Sequence, residues 1–230
     1  MQFTAVITGG SKGIGLALVD KFLRQGFKVI VVSRSIGQLG ALESEFPEEL
    51  TLLQFDLSDK RAVLACADAI TQISPKINVL INNAGVFLPG SIAQEDAESF
   101  ELQMALNLNA PYYLTKRLLP HLTEAANAYI FNICSTASEV AYTNGASYCI
   151  SKHALLGLTK VLRAELLQQG IAVSAVMPGA TLTDSWQGTD LPESRFISTS
   201  AIANAIYMAW ENRKTMVMER ITLRPILGDI

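Results

Sequence analysis

Metal chemistry has little to work with in this sequence. There are two histidines, His121 and His153, and no paired acidic cluster accompanies them, so a metal site built from side chains has no basis in composition. The three cysteines, Cys66, Cys134 and Cys149, form neither a C-x-x-C pair nor an even framework. That pattern fits reduced thiols inside a cell, acting as small buried hydrophobes. No apolar run approaches the ~18 residues of a membrane span, and the opening MQFTAVITGG lacks the regions of a signal peptide. A cytoplasmic protein without a membrane partner is expected. The 18 basic residues are scattered and the net charge is −3, which gives no stripe for a nucleic-acid backbone.

What is present is a chain of 230 residues, half of them apolar, enough for one domain spanning 1–230. Short β-branched apolar runs alternate with longer segments of helical period, the pattern of β-α units wound into a parallel sheet. Strands are expected near 3–7, 28–33, 51–55, 77–82, 128–134, 171–177 and 216–223. Helices are expected near 14–25, 35–45, 59–73, 96–122, 147–169 and 200–212. The strands are nearly all apolar, as when helices cover both faces of a sheet. The polar stretch from Asp184 to Ser200 is the longest irregular region, and such loops often border binding sites.

The unusual residues follow strand ends. Gly9 to Gly15 follow the first strand, Ser33-Arg34 the second, Asp56 the third, Asn83-Ala84-Gly85 the fourth, Ser135 the fifth and Pro178-Gly179 the sixth. In an open parallel sheet these ends share one edge, where ligands bind.

The first of these stretches, TGGSKGIG from Thr8 to Gly15, lets backbone approach a ligand without a Cβ in the way. A helix start follows, whose free N–H groups and positive dipole end attract a pyrophosphate. At the end of the second strand, where a ribose-binding carboxylate would mark an NAD site, the chain has Ser33 and then Arg34. A guanidinium suits a 2′-phosphate, and Lys12 within the turn adds positive charge. NADP(H) is therefore expected over NAD(H), which stays possible; either basic residue could instead be a solvated surface group.

Tyr148 and Lys152 stand at i and i+4 on one helix face. A positive neighbour commonly lowers an acidic group by ~1–3 pKa units, which would bring a phenol from ~10 toward working pH. Tyr112 and Lys116 repeat this spacing, with Ser99 thirteen residues before Tyr112 just as Ser135 is thirteen before Tyr148. On one helix thirteen residues span ~20 Å, so Ser99 and Tyr112 could not share a substrate oxygen. That second set is read as a decoy.

Together these residues resemble the short-chain dehydrogenases/reductases, in their soluble branch of single Rossmann-like domains: a doubly wound parallel sheet of about seven strands in an α/β/α sandwich. The resemblance covers nearly the whole chain. It rests on Thr8-Gly9-x-x-x-Gly13-x-Gly15, Asp56, Asn82-Asn83-Ala84-Gly85, Asn107, Ser135, Tyr148-x-x-x-Lys152, and Pro178-Gly179 followed by Thr183. It implies that Tyr148 is the general acid for reduction and the base for oxidation. Lys152 would lower the phenol's pKa and hold the nicotinamide ribose, Ser135 would bond the substrate oxygen, and Asn107 would hold a water. The cofactor cradle it implies draws on Ser11, Ile14 and the glycines of the turn. Asp56 and Leu57 would lie by adenine, and Asn83 with Ala84 and Gly85 by the adenosine ribose. Thr181 would meet the carboxamide, and Thr183 the carboxamide or the pyrophosphate. Asn82 would tie strands together, and Asn109 has no assigned role.

The implied activity is NADP(H)-dependent interconversion of a carbonyl and an alcohol. A 3-oxoacyl-carrier-protein reductase is an alternative, ranked lower because 124–128 and 168–170 carry no positive charge for an acidic carrier. A non-catalytic NADP(H) sensor is a second alternative, against which Ser135, Tyr148 and Lys152 are all in place. Trp186, Leu191 and Phe196 in the 184–200 loop would either wall the substrate or pack the loop on its own domain. Relatives are commonly dimers or tetramers, and Leu155, Leu158 and Leu162, with strand 216–223 and the tail 224–230, would serve such contacts.

Overall fold

The computed structural model describes residues 2–35, 37–183, 186 and 188–230. Among these, seven strands form one parallel sheet in the order β3-β2-β1-β4-β5-β6-β7. They are β1 (Thr4–Thr8), β2 (Lys28–Ser33), β3 (Leu50–Gln54), β4 (Val79–Asn82), β5 (Tyr129–Ile133), β6 (Ala172–Pro178) and β7 (Arg220–Leu223). The helices between them are α1 (Gly13–Arg24), α2 (Gly40–Glu45), α3 (Lys60–Ile73), α4 (Ala97–Met104), α5 (Ala110–Thr123), α6 (Ala146–Leu166) and α7 (Thr199–Glu211). Because every pairing is parallel, the strand ends lie on one edge. The order reverses at β1 and β4, the crevice where ligands enter such sheets.

Adjacent strand residues serve opposite faces. Ile7 and Val31 join Phe22, Ile206 and Trp210 in one apolar layer with α1 and α7. Val6 and Ile30 join Ile70, Leu118 and Leu162 in the other, with α3, α5 and α6. This two-sided burial explains why β1 and β5 are apolar or buried at every position.

Three expected elements differ. The helix over 35–45 begins only at Gly37, whose φ of +54° is a left-handed value no helix continues through, and runs as a single 3₁₀ turn (Gly37–Leu39) into α2. The helix over 96–122 is interrupted by a π turn at Ala105–Asn109; Pro111 has no N–H to offer the Asn107 carbonyl four residues earlier. The strand over 216–223 begins at Arg220, since Thr215 and Met216 still donate to the Asn212 carbonyl at the end of α7.

The interface expectation also shifts. Leu155 and Leu162 are buried, and Leu158 packs against the core. The outward apolar residues on α5 and α6 are Tyr112, Ile150 and Val161, and in the tail Ile226 and Leu227 stand out. Cys66, Cys134 and Cys149 are buried and unpaired, and burial pushes the Cys66 thiol up to about 12. Among the described residues no group could hold a metal ion, and no helix is long and apolar enough to cross a membrane.

Candidate active site

The glycine turn is shaped by its neighbours. Gly9 has φ +67° and Gly13 φ +55°. A Cβ on Gly15 would lie 2.0 Å from the Gly9 carbonyl oxygen and 2.7 Å from Asn83 Nδ2, so only glycine allows this approach. Asn83 Nδ2 donates to the carbonyls of Thr8 at 2.8 Å and Gly9 at 3.0 Å, while Thr8 Oγ1 accepts from the N–H groups of Asn83 and Ala84 at 3.0 and 2.9 Å. Thr8 and Asn83 thus clamp the ends of β1 and β4 together through their side chains. Lys12 is exposed at the N-cap of α1 and the helix has no side-chain cap. The backbone of Gly13, Ile14 and Gly15 therefore presents a helix start suited to an anion. A Cβ on Gly13 would meet Thr183 Cγ2 at 3.2 Å, which places the loop after β6 against the turn. Ser11 offers its carbonyl to the Gln38 N–H at 3.2 Å.

At the end of β2, Arg34 is exposed and lines an open surface groove with Gln54, Phe55 and Asp56. Two hydrogen bonds from Ser58, at 3.0 and 2.8 Å, and the nearby Arg34 charge hold the Asp56 carboxyl below its ordinary range. Ser33 turns its hydroxyl to the Ser35 carbonyl. Leu57 is buried in the core, so any contact it makes with a ligand is through backbone. On the opposite side Pro178 ends β6, Gly179 N–H donates to Leu223 at 2.8 Å, and buried Thr181 bonds the Gly179 carbonyl at 3.0 Å.

Ser135, Tyr148 and Lys152 come together where β5 ends against α6. Ala137 N–H donates to Ser135 Oγ at 3.1 Å, and Ser138 Oγ accepts from Ser135 N–H at 3.2 Å. This 3₁₀ cap fixes the serine and leaves its O–H to donate outward. Ser135 lies near enough to Tyr148 that its hydroxyl favours the ionised phenol. Lys152 is buried, donates from Nζ to the Ile133 carbonyl at 2.8 Å, and stands 5.6 Å from the Tyr148 ring centre.

The expected lowering of the Tyr148 pKa is not what these surroundings produce. Burial pushes the phenol up to about 12 against the opposing influence of the Ser135 hydroxyl, and burial pushes Lys152 down to about 8. The ammonium faces a carbonyl and the ring, so desolvation outweighs any lowering by its charge.

Asn107 sits in the π turn, fully buried. Its Nδ2 donates to Val86 O and Ser151 Oγ, both at 3.0 Å, and its Oδ1 accepts from Val86 N–H at 2.8 Å. A Cβ on Gly85 would lie 3.0 Å from Asn107 Oδ1 and 3.6 Å from Lys152 Nζ, so this glycine, three residues after β4, lets these two groups converge. Asn82 bonds Thr115 and Asn132 at 3.1 and 2.7 Å and ties β4 to α5 and β5, as expected; Asn109 is exposed. Tyr112 is exposed with Lys116 over its ring, and Ser99 lies in the first turn of α4.

In the 184–200 loop, Asp184, Ser185 and Gln187 lie outside the described residues. Phe196 is buried and meets the half-buried Trp186 edge-on at 5.1 Å, while Leu191 is exposed. Sequence reasoning missed Phe87, whose ring packs edge-on against Tyr148 at 5.0 Å and faces Tyr142 at 6.5 Å. It also missed Gln103, which bonds both polar backbone groups of Leu88, and Glu95, which reaches Ser147. Their partners lie 15 and 52 residues away, and no local pattern marks them.

The described geometry is matched by relationship. The family model for short chain dehydrogenase matches residues 3–193, and the chain belongs to that family of oxidoreductases. It is 30% identical over 241 residues to a sepiapterin reductase of Chlorobaculum tepidum, covering 100% of this chain and 99% of that one. A metagenomic short-chain oxidoreductase solved in complex with NADP superposes with a TM-score of 0.84 at 30% identity, covering 98% of each chain. An alcohol dehydrogenase from Thermococcus sibiricus, complexed with 5-hydroxy-NADP, shares the fold with a TM-score of 0.90 at 22% identity, over 100% of this chain and 99% of that one.

Proposed function

We propose that the protein interconverts a free ketone or aldehyde and its alcohol, using NADP(H), with Tyr148 as the proton-transfer group. The observation that carries this reading is the convergence of Ser135, Tyr148 and buried Lys152 beside Gly85, next to a glycine turn whose helix start suits a pyrophosphate. The residues fit the cofactor: Gly13, Ile14 and Gly15 offer backbone donors, Thr183 closes the far side, and Arg34 meets a 2′-phosphate with no carboxylate at Ser33 to repel it. NADP in the metagenomic relative agrees with that choice. Bound there, the cofactor supplies or accepts the hydride.

The chain's own groups handle the proton. The Ser135 hydroxyl and the Tyr148 phenol both donate to the carbonyl oxygen, and Tyr148 gives up its proton as negative charge develops there. A phenol pushed up to about 12 remains protonated at neutral pH, the form that reduction needs. Lys152 supplies positive charge next to the phenol, and the Asn107 carbonyl, which Pro111 cannot engage, would hold a water for proton resupply. Phe87 and Tyr142 give the surroundings of Tyr148 an apolar character that suits a substrate with apolar bulk, and Trp186 would extend it. Sepiapterin reductase among the relatives is consistent with a free small molecule rather than a carrier-bound one. The exposed Tyr112, Ile150 and Val161 would be covered in a homodimer or homotetramer.

The reading is tested by following NADPH consumption with a panel of aliphatic and aromatic aldehydes, cyclic ketones, dicarbonyls and an acetoacetyl thioester. Turnover of at least one free carbonyl is expected. NADPH binding with no turnover across the panel overturns it in favour of a sensor.

A further inference from the structure

The helix that carries Tyr148 and Lys152 begins without a cap of its own. Gly145 stands at its N-cap position and offers no side chain, so the first N–H groups of α6 need partners from elsewhere. They find them in one segment of the β4–α4 connection. Ala146 N–H donates to the Gly90 carbonyl at 3.1 Å. Glu95 takes the next position with both carboxylate oxygens, accepting from Ser147 Oγ at 2.5 Å and from Ser147 N–H at 3.4 Å. Gly90 N–H returns a bond to the Asn144 carbonyl at 2.9 Å. Ser147 is fully buried and directly precedes Tyr148.

The same segment carries Phe87, and it is held along its length. Asn107 bonds both backbone groups of Val86, and Gln103 bonds both of Leu88. Glu95 then closes the far end onto α6. Space at this closure is tight: a Cβ on Gly90 would lie 2.8 Å from Glu95 Cβ, and one on Gly145 would lie 2.5 Å from the Tyr142 ring. A carboxylate is also the side chain best suited to a helix N-terminus, where the dipole is positive.

We propose that Glu95 is a positioning residue for the proposed reaction. It acts through Ser147 as a cap supplied from 52 residues away, holding the first turn of α6, and with it the Tyr148 phenol, in register with the Phe87 wall. This rests on the reading of Tyr148 as the proton-transfer group, but the cap itself does not. Removing it frays the turn that aims the phenol, while the cofactor cradle at Gly13–Gly15 and Arg34 stays intact. The cost therefore falls on kcat and not on cofactor affinity.

The test compares Glu95→Ala, Glu95→Gln, Ser147→Ala and the double variant Glu95→Ala/Ser147→Ala in the full-length protein. Amide hydrogen exchange is followed across 144–152, NADPH affinity by its fluorescence, and kcat on the best substrate of the carbonyl panel. Expected are at least tenfold faster exchange at Ser147 and Tyr148 in Glu95→Ala, and a kcat at least tenfold lower with NADPH affinity within twofold of wild type. Glu95→Gln, which keeps an acceptor for Ser147, should retain at least a third of wild-type kcat. The double variant should be no worse than Glu95→Ala. Unchanged exchange overturns the cap. Unchanged kcat, failure of Gln to rescue, or parallel loss of NADPH affinity overturns the positioning role. If the wild type turns over no carbonyl, the proposed function and the positioning role fall together, and exchange alone decides the cap.

Discussion

Lys152 donates its buried ammonium to the carbonyl of Ile133 at 2.8 Å, so a residue on α6 is moored to the last peptide of β5. This bond only partly offsets the loss of water, and the lysine's pKa falls from 10.5 to about 8. Below pH 8 the charge is carried in both states, and its burial costs stability throughout. Between pH 8 and 10.5 the unfolded chain holds more protons than the folded one, so the folded state gains as pH rises through that window. Lys152→Met removes the buried charge at similar volume. Its melting temperature is expected to exceed that of the wild type at pH 7, with the difference shrinking between pH 8 and 10.5. A constant difference across that window in thermal melts would contradict this view of the lysine.

The same titration bears on rate. The Tyr148 phenol, pushed up to about 12, stays protonated well beyond the point where Lys152, pushed down to about 8, loses its charge. In the proposed reduction Tyr148 would then keep its proton but lose its positive neighbour. The profile of kcat/KM for carbonyl reduction should be flat near neutrality and fall above about pH 8. A profile that stays level to pH 10 would detach Lys152's charge from the chemistry.

Glycines in this chain divide by what surrounds them. A Cβ on Gly15 would sit 2.0 Å from the Gly9 carbonyl, whereas one on Gly157, exposed within α6, would meet nothing within 4 Å. Gly15→Ala should destabilise by about 3 kcal/mol or more and abolish NADPH binding. Gly157→Ala should stabilise by about 0.5–1 kcal/mol. Urea unfolding of the two variants measures both signs.

The sheet and its edge were legible because both depend on local signals: apolar runs of strand length, helical periods between them, and glycines at a turn. Ser135, Tyr148 and Lys152 were legible for the same reason, each marked by spacing or by its place at a strand end. What was not legible depends on three-dimensional partners. The role of Asn83 follows from its reach to Thr8 and Gly9, and the caps supplied by Glu95 and Gln103 follow from loop packing. The upward shift of Tyr148 follows from burial that spacing with Lys152 cannot report. The break between α4 and α5 had a sequence cause in Pro111, although a 27-residue helical period masked it.

The proposed NADP(H) preference rests on Arg34. It is exposed at the end of β2 beside Asp56, with Ser33 in place of a carboxylate. Arg34→Asp exchanges attraction for repulsion toward a 2′-phosphate and should lower the ratio of kcat/KM with NADPH to that with NADH by about 10–100-fold. A wild type that prefers NADH, or a ratio unmoved by the substitution, would show that the phosphate is read elsewhere.

In the proposed function the Tyr148 hydroxyl transfers the proton, and Tyr148→Phe removes that oxygen while keeping the ring against Phe87. Single-turnover hydride transfer from bound NADPH to a carbonyl that the wild type reduces, measured beside NADPH affinity, tests it most directly. Affinity within twofold of wild type is expected, with a rate lower by about 10²–10⁴-fold. A variant that binds NADPH equally well and reduces the carbonyl within tenfold of the wild-type rate would contradict it.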